Sequence, residues 1–421
     1  MSETRGNRPQ VSVAIIVRNA ATPLRETLAT VSGLADELVV LDTGSTDETL
    51  SVVTAARAHV HRHTWDDHFA AARNACLEHC RGDWVLWLDA GERLTSDGAA
   101  ELRQFVNEQA DPGRAYLMPI ELAAAGGVEQ VWQVRLHPRR ESLRFAGRVR
   151  ESLDVSLDQA GVAIQPLAIA IQRALDGDPL TKSAKAQRNI RLADRSLAEQ
   201  GPSAEMHNCL GEALQSLGDP LRAARQYQHV IRLAAPASRY RLEGYYGLLT
   251  CLDSAGPDRW AQLALCLEAL DEFPLDAQLL VALGGYLQTE SHAPLAVRAY
   301  DVAFRHGQIE PRIAHLPEIQ ELAAVCAAAL LERAGDSAGA QTLLEAAVRT
   351  FPQSLRIARR LVESLVQQGH HDQAQALIDS LPAAIRAAFS ETSLRLDQPR
   401  GLRIASPALP TQAAGPKPSG R

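Results

Sequence analysis

Acidic residues follow two apolar segments of the chain at the points where each segment would end as a β-strand. Asp42 comes directly after residues 37–41, and Asp89 comes directly after residues 84–88. The carboxyl ends of parallel strands meet at one edge of a sheet, where open α/β sheets bind ligands. A charge that emerges from a buried strand also needs a partner or a role. The two acids are therefore candidates for binding a nucleotide, a phosphate or a metal ion.

The segment after Asp42 suits a tight turn whose backbone amides approach a ligand closely, because Gly44 and Ser45 are small. It equally suits an Asx turn, with Asp47 capping the helix that follows. Capping alone would explain Asp47. Both interpretations stay open at this point.

Arg73 and Asn74 lie on a predicted helix, one or two turns from its start. Three alanines, residues 70–72, precede them and leave space beside their side chains. A guanidinium in this position can reach a base or a phosphate. The ordinary alternative is a surface arginine paired with Asp66 or Glu78.

Apolar segments rich in β-branched residues alternate with helical segments in the first part of the chain. The predicted strands cover residues 11–17, 37–41, 59–64 and 84–88, and the predicted helices cover residues 23–31, 49–57 and 67–80. This alternation is typical of an α/β domain with parallel strands and crossover helices. Such a domain places Asp42 and Asp89 at the same edge of its sheet.

From about residue 182 the pattern changes to Ala- and Leu-rich helices separated by Gly-Asp or Gly-His turns. Glycines recur here about 34 to 37 residues apart, at Gly211, Gly247 and Gly284 and again at Gly335 and Gly369. Small residues at fixed positions let paired helices pack closely, while large residues fill the grooves between pairs. The segment resembles tetratricopeptide repeats, so an all-α solenoid is predicted over residues 182–385.

Length, charge and cysteine content exclude several classes of protein. The chain has 421 residues and a formal net charge of −7, without a long run of Lys or Arg. At least two cores are expected, and binding to nucleic acid or to an anionic membrane would need a concentrated basic face. No early apolar run is long enough to form a signal core or a transmembrane segment. Six cysteines without Cys-x-x-Cys pairs fit a reducing compartment, so a cytoplasmic protein is expected.

Three segments together resemble the family 2 glycosyltransferases. They are residues 38–47, 69–74 and 82–92, the last of which reads Gly-Asp-Trp-Val-Leu-Trp-Leu-Asp-Ala-Gly-Glu. Members of that family have a GT-A nucleotide-sugar domain, so the resemblance implies an α/β GT-A domain over residues 10–181. The resemblance also implies that the sugar donor is a UDP-sugar. The residues implied to bind this donor are Asn19, Asp42, Asp47, Arg73, Asn74, Asp89 and Arg150.

The chain departs from the family pattern at three positions. Gly91 stands where the second acid of the Asp-X-Asp motif is found, Arg150 stands in place of a histidine, and Ala20 stands in place of a glutamate. In the family, the acid pair bridges Mn²⁺ or Mg²⁺ to the diphosphate and offsets the charge on the leaving UDP. Asp89 is then the remaining candidate metal ligand, joined by Glu92 if that side chain turns inward, and a metal site built on them would be incomplete.

Arg150 offers a substitute for the metal, because a guanidinium can bind phosphate through two parallel hydrogen bonds. Charged hydrogen bonds contribute about 1.5–3 kcal/mol each, so Arg150 with Arg148 or Arg135 could offset part of the loss. The sequence therefore predicts a metal-independent enzyme, with Mn²⁺ or Mg²⁺ at Asp89 as the alternative.

Inverting glycosyl transfer needs a carboxylate that takes the proton of the acceptor as it attacks the anomeric carbon. Glu151 and Glu92 are the candidates, and Asp89 completes the predicted catalytic set. Glu151 matches the family segment, but a surface salt bridge with Arg148 would explain it equally. Glu92 would have to turn inward.

The leading hypothesis is an inverting glycosyltransferase that moves a sugar from a UDP-linked donor to a protein or peptide, or to a surface glycan. The repeats would form a concave surface for a polypeptide acceptor, and similar fusions suggest a bacterial surface protein as the target. The rival is an inactive transferase-like domain that serves with the repeats as an interaction scaffold, which the three departures favour. Residues 1–9 are expected to be flexible, and residues 386–421 to be a mostly disordered tail.

Overall fold

The computed structural model describes residues 8–124, 127–173, 179–256 and 258–391. Within these residues a nine-stranded sheet precedes a helical region. The strands are β1 (Val11–Val17), β2 (Glu37–Asp42), β3 (His59–Arg62), β4 (Trp84–Trp87), β5 (Glu92–Leu94), β6 (Arg114–Ala124), β7 (Gly127–Pro138), β8 (Ala163–Pro166) and β9 (Ile171–Arg173). The helices of this region are α1 (Ala21–Thr30), α2 (Thr49–Ala55), α3 (Phe69–Leu77), α4 (Ser96–Glu108) and α5 (Asp154–Gln159).

The first half of the sheet is parallel, in the spatial order β3, β2, β1, β4. These are the four strands that the alternation predicts, and the α/β prediction is confirmed. The second half is antiparallel in its main pairs, because β7 pairs with β4, β6 with β7, and β5 with β9. The sequence did not predict this half. It extends the sheet beyond β4, on the side where Asp89 emerges.

Apolar side chains cover both faces of the central strands. Val13 and Ile15 of β1 pack on one face with Leu24 of α1. Ala14 packs on the opposite face with Cys76 of α3. Strands buried on both faces read as continuous apolar runs, which is why β1 and β4 were visible in the sequence.

Twelve helices of the helical region lie within the described residues. They are α6 (Pro179–Gln200), α7 (Ala204–Ser216), α8 (Pro220–Leu233), α9 (Arg239–Ala255), α10 (Arg259–Glu272), α11 (Ala277–Thr289), α12 (Ala293–His306), α13 (Ile319–Arg333), α14 (Ser337–Thr350), α15 (Leu355–Gln367), α16 (His371–Ser380) and α17 (Ala383–Glu391). Helices α6 to α16 pack one against the next, and α17 packs on α15. The region thus begins near the predicted residue 182. None of the described helices combines the length and the apolar character needed to cross a bilayer.

The predicted flexible ends lie largely outside the described residues, which exclude 1–7 and 392–421. Residues 386–391 are an exception, because they belong to α17. Phe389 of this helix is buried in the core of the helical region. The boundary predicted at residue 385 was therefore placed too early.

The Gly-Asp turns end one helix of a pair and start the next. Gly218 has φ = 77° and Gly335 has φ = 84°, a left-handed conformation that side chains disfavour. Asp219 and Asp336 then cap the following helices through backbone N–H groups. The regular turns of the sequence are thus explained by helix-capping chemistry.

Close contacts of tyrosine with glycine set the packing between repeats. A Cβ atom added to Gly211 would lie 2.6 Å from the Tyr227 ring, and one added to Gly247 would lie 2.3 Å from it. Tyr227 is therefore held between α7 and α9. Tyr300 packs on Gly284 in the same way. The regular spacing of glycines in the sequence therefore reflects positions where a tyrosine ring packs against a helix backbone.

The two domains share part of their cores. Val149 of the transferase-like domain packs with Leu192, Met206 and Leu210 of the helical region. At a second contact, Trp132 of β7 donates its backbone N–H to the carbonyl of Pro311 at 2.8 Å. Ion pairs such as Arg312 with Asp154 add to these contacts, and a cavity lies between the two domains.

We expect Gly284→Ala and Gly285→Ala to have opposite effects on stability. A Cβ atom at Gly284 would lie 2.6 Å from the Tyr300 ring, whereas the nearest atom to a Cβ at Gly285 is the Tyr300 hydroxyl at 3.8 Å. Overpacking costs about 1–3 kcal/mol, while Gly→Ala in an open helix position gains about 0.5–1 kcal/mol. Melting temperatures measured by circular dichroism should fall for Gly284→Ala and rise for Gly285→Ala. A rise for both variants would contradict the packing role of Gly284.

Candidate active site

The loops that follow β1, β2 and β4 lie at one edge of the sheet. β1 pairs in parallel with both β2 and β4, so their carboxyl ends point the same way. Asn19 and Asp89 lie in the loops after β1 and β4, and Asp42 is the last residue of β2. The sequence predicted this common placement for Asp42 and Asp89, and the sheet provides it.

Asn19 joins two of these loops. Its Oδ1 accepts a hydrogen bond from the Thr46 backbone at 2.7 Å, and its own backbone N–H donates to Ser45 Oγ at 2.9 Å. The residue has φ = 48°, a left-handed conformation that asparagine tolerates better than most side chains. Asn19 therefore ties the end of β1 to the turn after β2.

Asp42 and Asp47 build the turn after β2 through the same kind of contact. Asp42 is 3% exposed, and its carboxylate accepts hydrogen bonds from the backbone N–H groups of Gly44 and Ser45 at 3.3 and 3.0 Å. Asp47 accepts from the Thr49 N–H at 3.0 Å, and bonds from the Thr49 side chain and backbone lower the pKa of Asp47. This is the Asx turn with helix capping. A role of either acid in nucleotide binding stays a prediction.

Asp89 is surrounded by three arginines. Its Oδ1 lies 3.1 Å from Arg73 Nη2, and its Oδ2 lies 2.9 Å from Arg173 Nη2 and 3.5 Å from Arg135 Nη2. Burial opposes its ionisation, but the three guanidinium groups outweigh burial and hold the pKa of Asp89 below its ordinary value. The side chain keeps 33% of its surface exposed. Asp89 is therefore an ionised carboxylate inside a cationic surround.

Glu92 has turned inward and is fully buried. It accepts hydrogen bonds from the Asp89 backbone N–H at 2.9 Å and from Arg135 Nη2 at 2.7 Å, and it pairs with Arg173 as well. A carboxylate enclosed in this way cannot reach an acceptor. The interpretation of Glu92 as a catalytic base is therefore wrong for this geometry. Its role is to hold the two arginines and the turn after β4.

Gly91 lies in the turn between Asp89 and Glu92 with φ = 98°. Its N–H donates to Thr27 Oγ1 at 2.9 Å. A left-handed φ strains any residue with a side chain. An acid at position 91 would therefore strain the backbone of this turn, so the turn conformation itself favours glycine here.

Arg73 joins Asp89 to Glu151. Its Nε donates to Glu151 Oε1 at 2.5 Å, and its guanidinium carbon lies 4.4 Å from the centre of the Trp87 ring. Arg73 therefore belongs to the group of charged residues around Asp89. The alternative that the sequence left open, a surface ion pair of Arg73 with Asp66 or Glu78, is not formed among the residues that the structure describes.

Asn74 has a different environment from Arg73. Its side chain amide exchanges two hydrogen bonds with the backbone of Phe145, at 2.9 and 2.8 Å. The Asn74 amide thus fixes the segment before Glu151. A contact of Asn74 with a nucleotide stays a prediction.

Arg150 lines the same cavity as Asp89 and pairs with carboxylates of the helical region. Its guanidinium lies 2.7 Å from Glu212 of α7 and 3.3 Å from Glu243 of α9. Arg148 likewise pairs with Glu199 of α6 at 2.6 Å. Binding of the diphosphate by Arg150, which lines the cavity described below, or by Arg148 stays a prediction. Two carboxylates of α7 and α9 hold Arg150, and one carboxylate of α6 holds Arg148.

The donor set around Asp89 does not fit a divalent metal. Both carboxylate oxygens already face guanidinium groups, and no cluster of three His, Cys, Asp or Glu side chains suited to a metal occurs among the described residues. His137 is buried on β7, where burial lowers its pKa to about 4. Divalent metals at diphosphate sites need free carboxylate oxygens. Arg135 and Arg173 supply positive charge at this place instead.

A cavity of about 590 Å³ lies between the sheet domain and the helical region, and Asp89 lines it. The sheet domain contributes Arg73, Trp87, Trp132, Arg135, Glu151 and Arg173 to its wall, and the helices contribute Glu205, Glu212, Arg239, Tyr240, Glu243 and Tyr246. Trp87, Arg173 and the helical carboxylates were missed in the sequence. Trp87 lies in the apolar run of β4, where alternation alone could have indicated it, whereas Arg173 and the glutamates carried no signal.

Comparison with known proteins agrees with this architecture. The family model described as Glycosyl transferase family 2 matches residues 12–151, and the one described as Tetratricopeptide repeat matches residues 331–390. A TPR repeat-containing protein of Synechococcus elongatus is 32% identical over 275 residues, which are 64% of this chain and 67% of that protein. An uncharacterized glycosyltransferase of Rickettsia bellii is 29% identical over 108 residues, 25% of this chain and 36% of that protein.

Among solved structures, the chain is similar to glucosyl-3-phosphoglycerate synthase of Mycobacterium tuberculosis in complex with Mn²⁺, UDP and glucosyl-3-phosphoglycerate. The sequences are 19% identical, the match covers 45% of this chain and 79% of that one, and the TM-score is 0.33. A TM-score this low supports no conclusion about function.

The chain spans about two thirds of the Synechococcus protein and about a third of the Rickettsia protein. The family models match the sheet domain and the end of the helical region, the two parts in which the sequence showed its motifs and repeats. The chain therefore belongs to glycosyl transferase family 2, with a tetratricopeptide-repeat domain following its transferase domain.

Proposed function

We propose that the chain transfers a sugar with inversion from a UDP-sugar to a polypeptide acceptor, and that arginines replace a divalent metal. The observation that supports this proposal is the convergence of Arg73, Arg135 and Arg173 on Asp89 at the wall of the cavity between the domains. A diphosphate carries the charge that guanidinium groups bind in a bidentate manner.

Arg173 is the arginine that meets the diphosphate. Its side chain is 37% exposed to the cavity, whereas Arg135 is buried behind it. Charged hydrogen bonds contribute about 1.5–3 kcal/mol each, so two or three such contacts approach the several kcal/mol that a metal supplies. Asp89 and Glu92 hold the guanidinium groups in place, which reduces the reorganisation needed when UDP leaves. Arg173 thus takes the role that the sequence assigned to Arg150.

Asn19, Asp42 and Asp47 provide the nucleoside end of the donor site in this proposal. Their loops lie at the same sheet edge as Asp89, and Asn19 and Asp47 are exposed there. Asp42 acts by shaping the turn, since its carboxylate is used by the backbone amides of Gly44 and Ser45. The nucleoside would then contact the turn, while the sugar projects toward the cavity.

Glu151 is the proposed base of the transfer. It lines the cavity and is oriented by Arg73, which also contacts Asp89. An acceptor oxygen or nitrogen attacks the anomeric carbon, the bond from that carbon to the UDP oxygen breaks, and Glu151 takes the proton of the acceptor. A single displacement of this kind inverts the configuration at the anomeric carbon.

The acceptor is proposed to be an extended polypeptide segment that enters the cavity. One wall of the cavity is formed by α7 and α9 of the repeats, and tetratricopeptide solenoids present concave surfaces of this kind to peptides. A cavity of about 590 Å³ can hold a few side chains but not a folded domain. The six cysteines are all free, which supports our placement of the reaction in the cytoplasm.

We expect UDP to bind equally well in Mn²⁺ and in EDTA, and Arg173→Met to weaken binding about 10- to 100-fold. That range corresponds to the loss of one charged contact. Isothermal titration calorimetry with UDP measures both effects. Arg93→Met is the matched control. Arg93 lies on β5, the strand next to β9, and is also 37% exposed, but it pairs with Glu26 of α1. Its affinity for UDP should equal that of the unmodified chain.

Two results would contradict different parts of the proposal. Binding that requires Mn²⁺ would overturn metal independence and leave the donor assignment intact. No binding under either condition would overturn the donor assignment and support the alternative of an inactive scaffold.

We expect Gly91→Asp to lower stability without creating a metal-dependent site. The φ of 98° would strain an aspartate by roughly 1–2 kcal/mol, and the nearby guanidinium groups would still occupy Asp89. Gly91→Ala is the control, since it introduces the strain without the charge. Thermal unfolding should show a lower melting temperature for both variants, and Mn²⁺ should not tighten UDP binding by Gly91→Asp. A Mn²⁺-dependent gain in UDP affinity would show that the missing acid alone had removed the metal.

A further inference from the structure

Residues 146–152 form a short closed loop that carries Arg150 and Glu151. Backbone hydrogen bonds between Ala146 and Ser152, at 2.9 and 3.1 Å, close its ends. Within it Gly147 has φ = 100° and Arg150 has φ = 55°. A left-handed conformation at a residue as large as arginine persists only where its surroundings hold it.

The loop contacts the transferase domain at the start of α3. The N–H groups of Phe69 and Ala70 donate to the carbonyls of Arg148 and Gly147, at 2.9 and 3.4 Å. Glu151 then contacts Arg73 on the same helix. The position of the loop therefore determines where Glu151 and Arg73 lie relative to Asp89.

The repeats hold the opposite side of the loop through Arg150. The Arg150 cluster consists of Arg150, Glu212 of α7, Glu243 of α9 and Asn208, whose side chain amide donates to Glu243. Glu243 is 7% exposed, so its contacts with Arg150 and Asn208 are formed inside the protein. None of these residues belongs to the strands or helices of the transferase domain.

We propose that Glu212 and Glu243 of the repeats are positioning residues of the transferase, which hold the 146–152 loop through Arg150 and thereby place Glu151 against Arg73. The proposal deepens the function proposed above and rests on the role given there to Glu151. The repeats then do more than present an acceptor, because they order part of the catalytic apparatus.

The charge of Glu243 is sensitive to its surroundings. Burial raises its pKa to about 7, and the neighbouring carboxylates of Glu212 and Glu205 on α7 add to the rise. Arg150 on the loop and Arg239 on the same helix oppose it. The folded state therefore binds this proton more tightly than the unfolded chain, whose glutamates titrate near pH 4.5.

The sign of the pH effect follows from the raised pKa. The stability that the bound proton contributes is complete below about pH 4.5 and is lost as the pH rises through about 7. The ion pair with Arg150 is complete only above that pH. Ionised Glu243 thus fixes the loop above about pH 7 but does not increase the free energy of unfolding of the whole chain. Buried ion pairs often make no net contribution to that free energy.

Hydrogen exchange of the full chain, followed by mass spectrometry, tests the proposal. At pH 8 we expect Glu243→Gln to raise exchange about threefold or more in peptides covering 69–76 and 146–152, without lowering the melting temperature. The difference from the unmodified chain should shrink at pH 6, where Glu243 is mostly protonated. Glu272→Gln is the control, because Glu272 pairs with Arg241 inside the repeats and should leave both peptides unchanged.

A double-mutant cycle isolates the contact with Arg150. Arg150→Met should raise exchange in the same two peptides, and Glu243→Gln added to it should change them little further. Additive effects would overturn the proposal, as would unchanged exchange in the loop or a uniform rise across all helices of the repeats.

UDP calorimetry on the same variants separates this proposal from the function on which it rests. If the unmodified chain binds UDP, Glu243→Gln should weaken binding about threefold or more, and unchanged affinity despite a loosened loop would overturn the link to the site. If the unmodified chain does not bind UDP, the proposed function fails, and the exchange experiment still decides whether the repeats order the loop.

Discussion

Burial of opposite charges at the carboxyl edge of the sheet is the constraint on which the rest of the site depends. The cluster contains three arginines and three carboxylates: Arg73, Arg135, Arg173, Asp89, Glu92 and Glu151. Within this cluster Arg135 and Glu92 are buried, and removing one partner of a buried ion pair costs about 3–5 kcal/mol, because the other charge is left uncompensated. These two residues can therefore change only together. The cluster also connects β4, α3, β7, β9 and the 146–152 loop, so the positions of these elements depend on one another.

The ion pairs of this cluster also determine the backbone conformation of the turn after β4. Glu92 can accept from the Asp89 N–H and from Arg135 only if the chain reverses between them, and Gly91 provides that reversal with its left-handed φ. The changes at Gly91 and at the arginines are then parts of one arrangement. Viewed residue by residue, Gly91 looks like the loss of a ligand. Viewed with Glu92, it belongs to the turn that holds the ion pairs of Arg135 and Arg173 in place.

The sequence predicted the parallel half of the fold because local pattern determines it. The strands β1 and β4 are buried on both faces, and the turn glycines and N-cap acids of the repeats act within a few residues. The sequence did not predict the long hairpin of β6 and β7, because its strands mix polar and apolar residues and pair mainly with each other. Arg150 shows the same limit at the site. Its partners lie 62 and 93 residues away in the chain, and no local pattern connects them.

Charge also divides the cavity between the domains. Its transferase wall carries the arginines around Asp89, and its repeat wall carries Glu205, Glu212 and Glu243. Arg239 and Arg312 also line the repeat wall, so its three carboxylates are partly compensated. Arg150 lies on the boundary between the walls, paired with the repeat carboxylates and adjacent in sequence to Glu151. Arg150 pairs with two carboxylates of the repeat wall and precedes the proposed base, so the repeat wall and Glu151 are linked through one guanidinium.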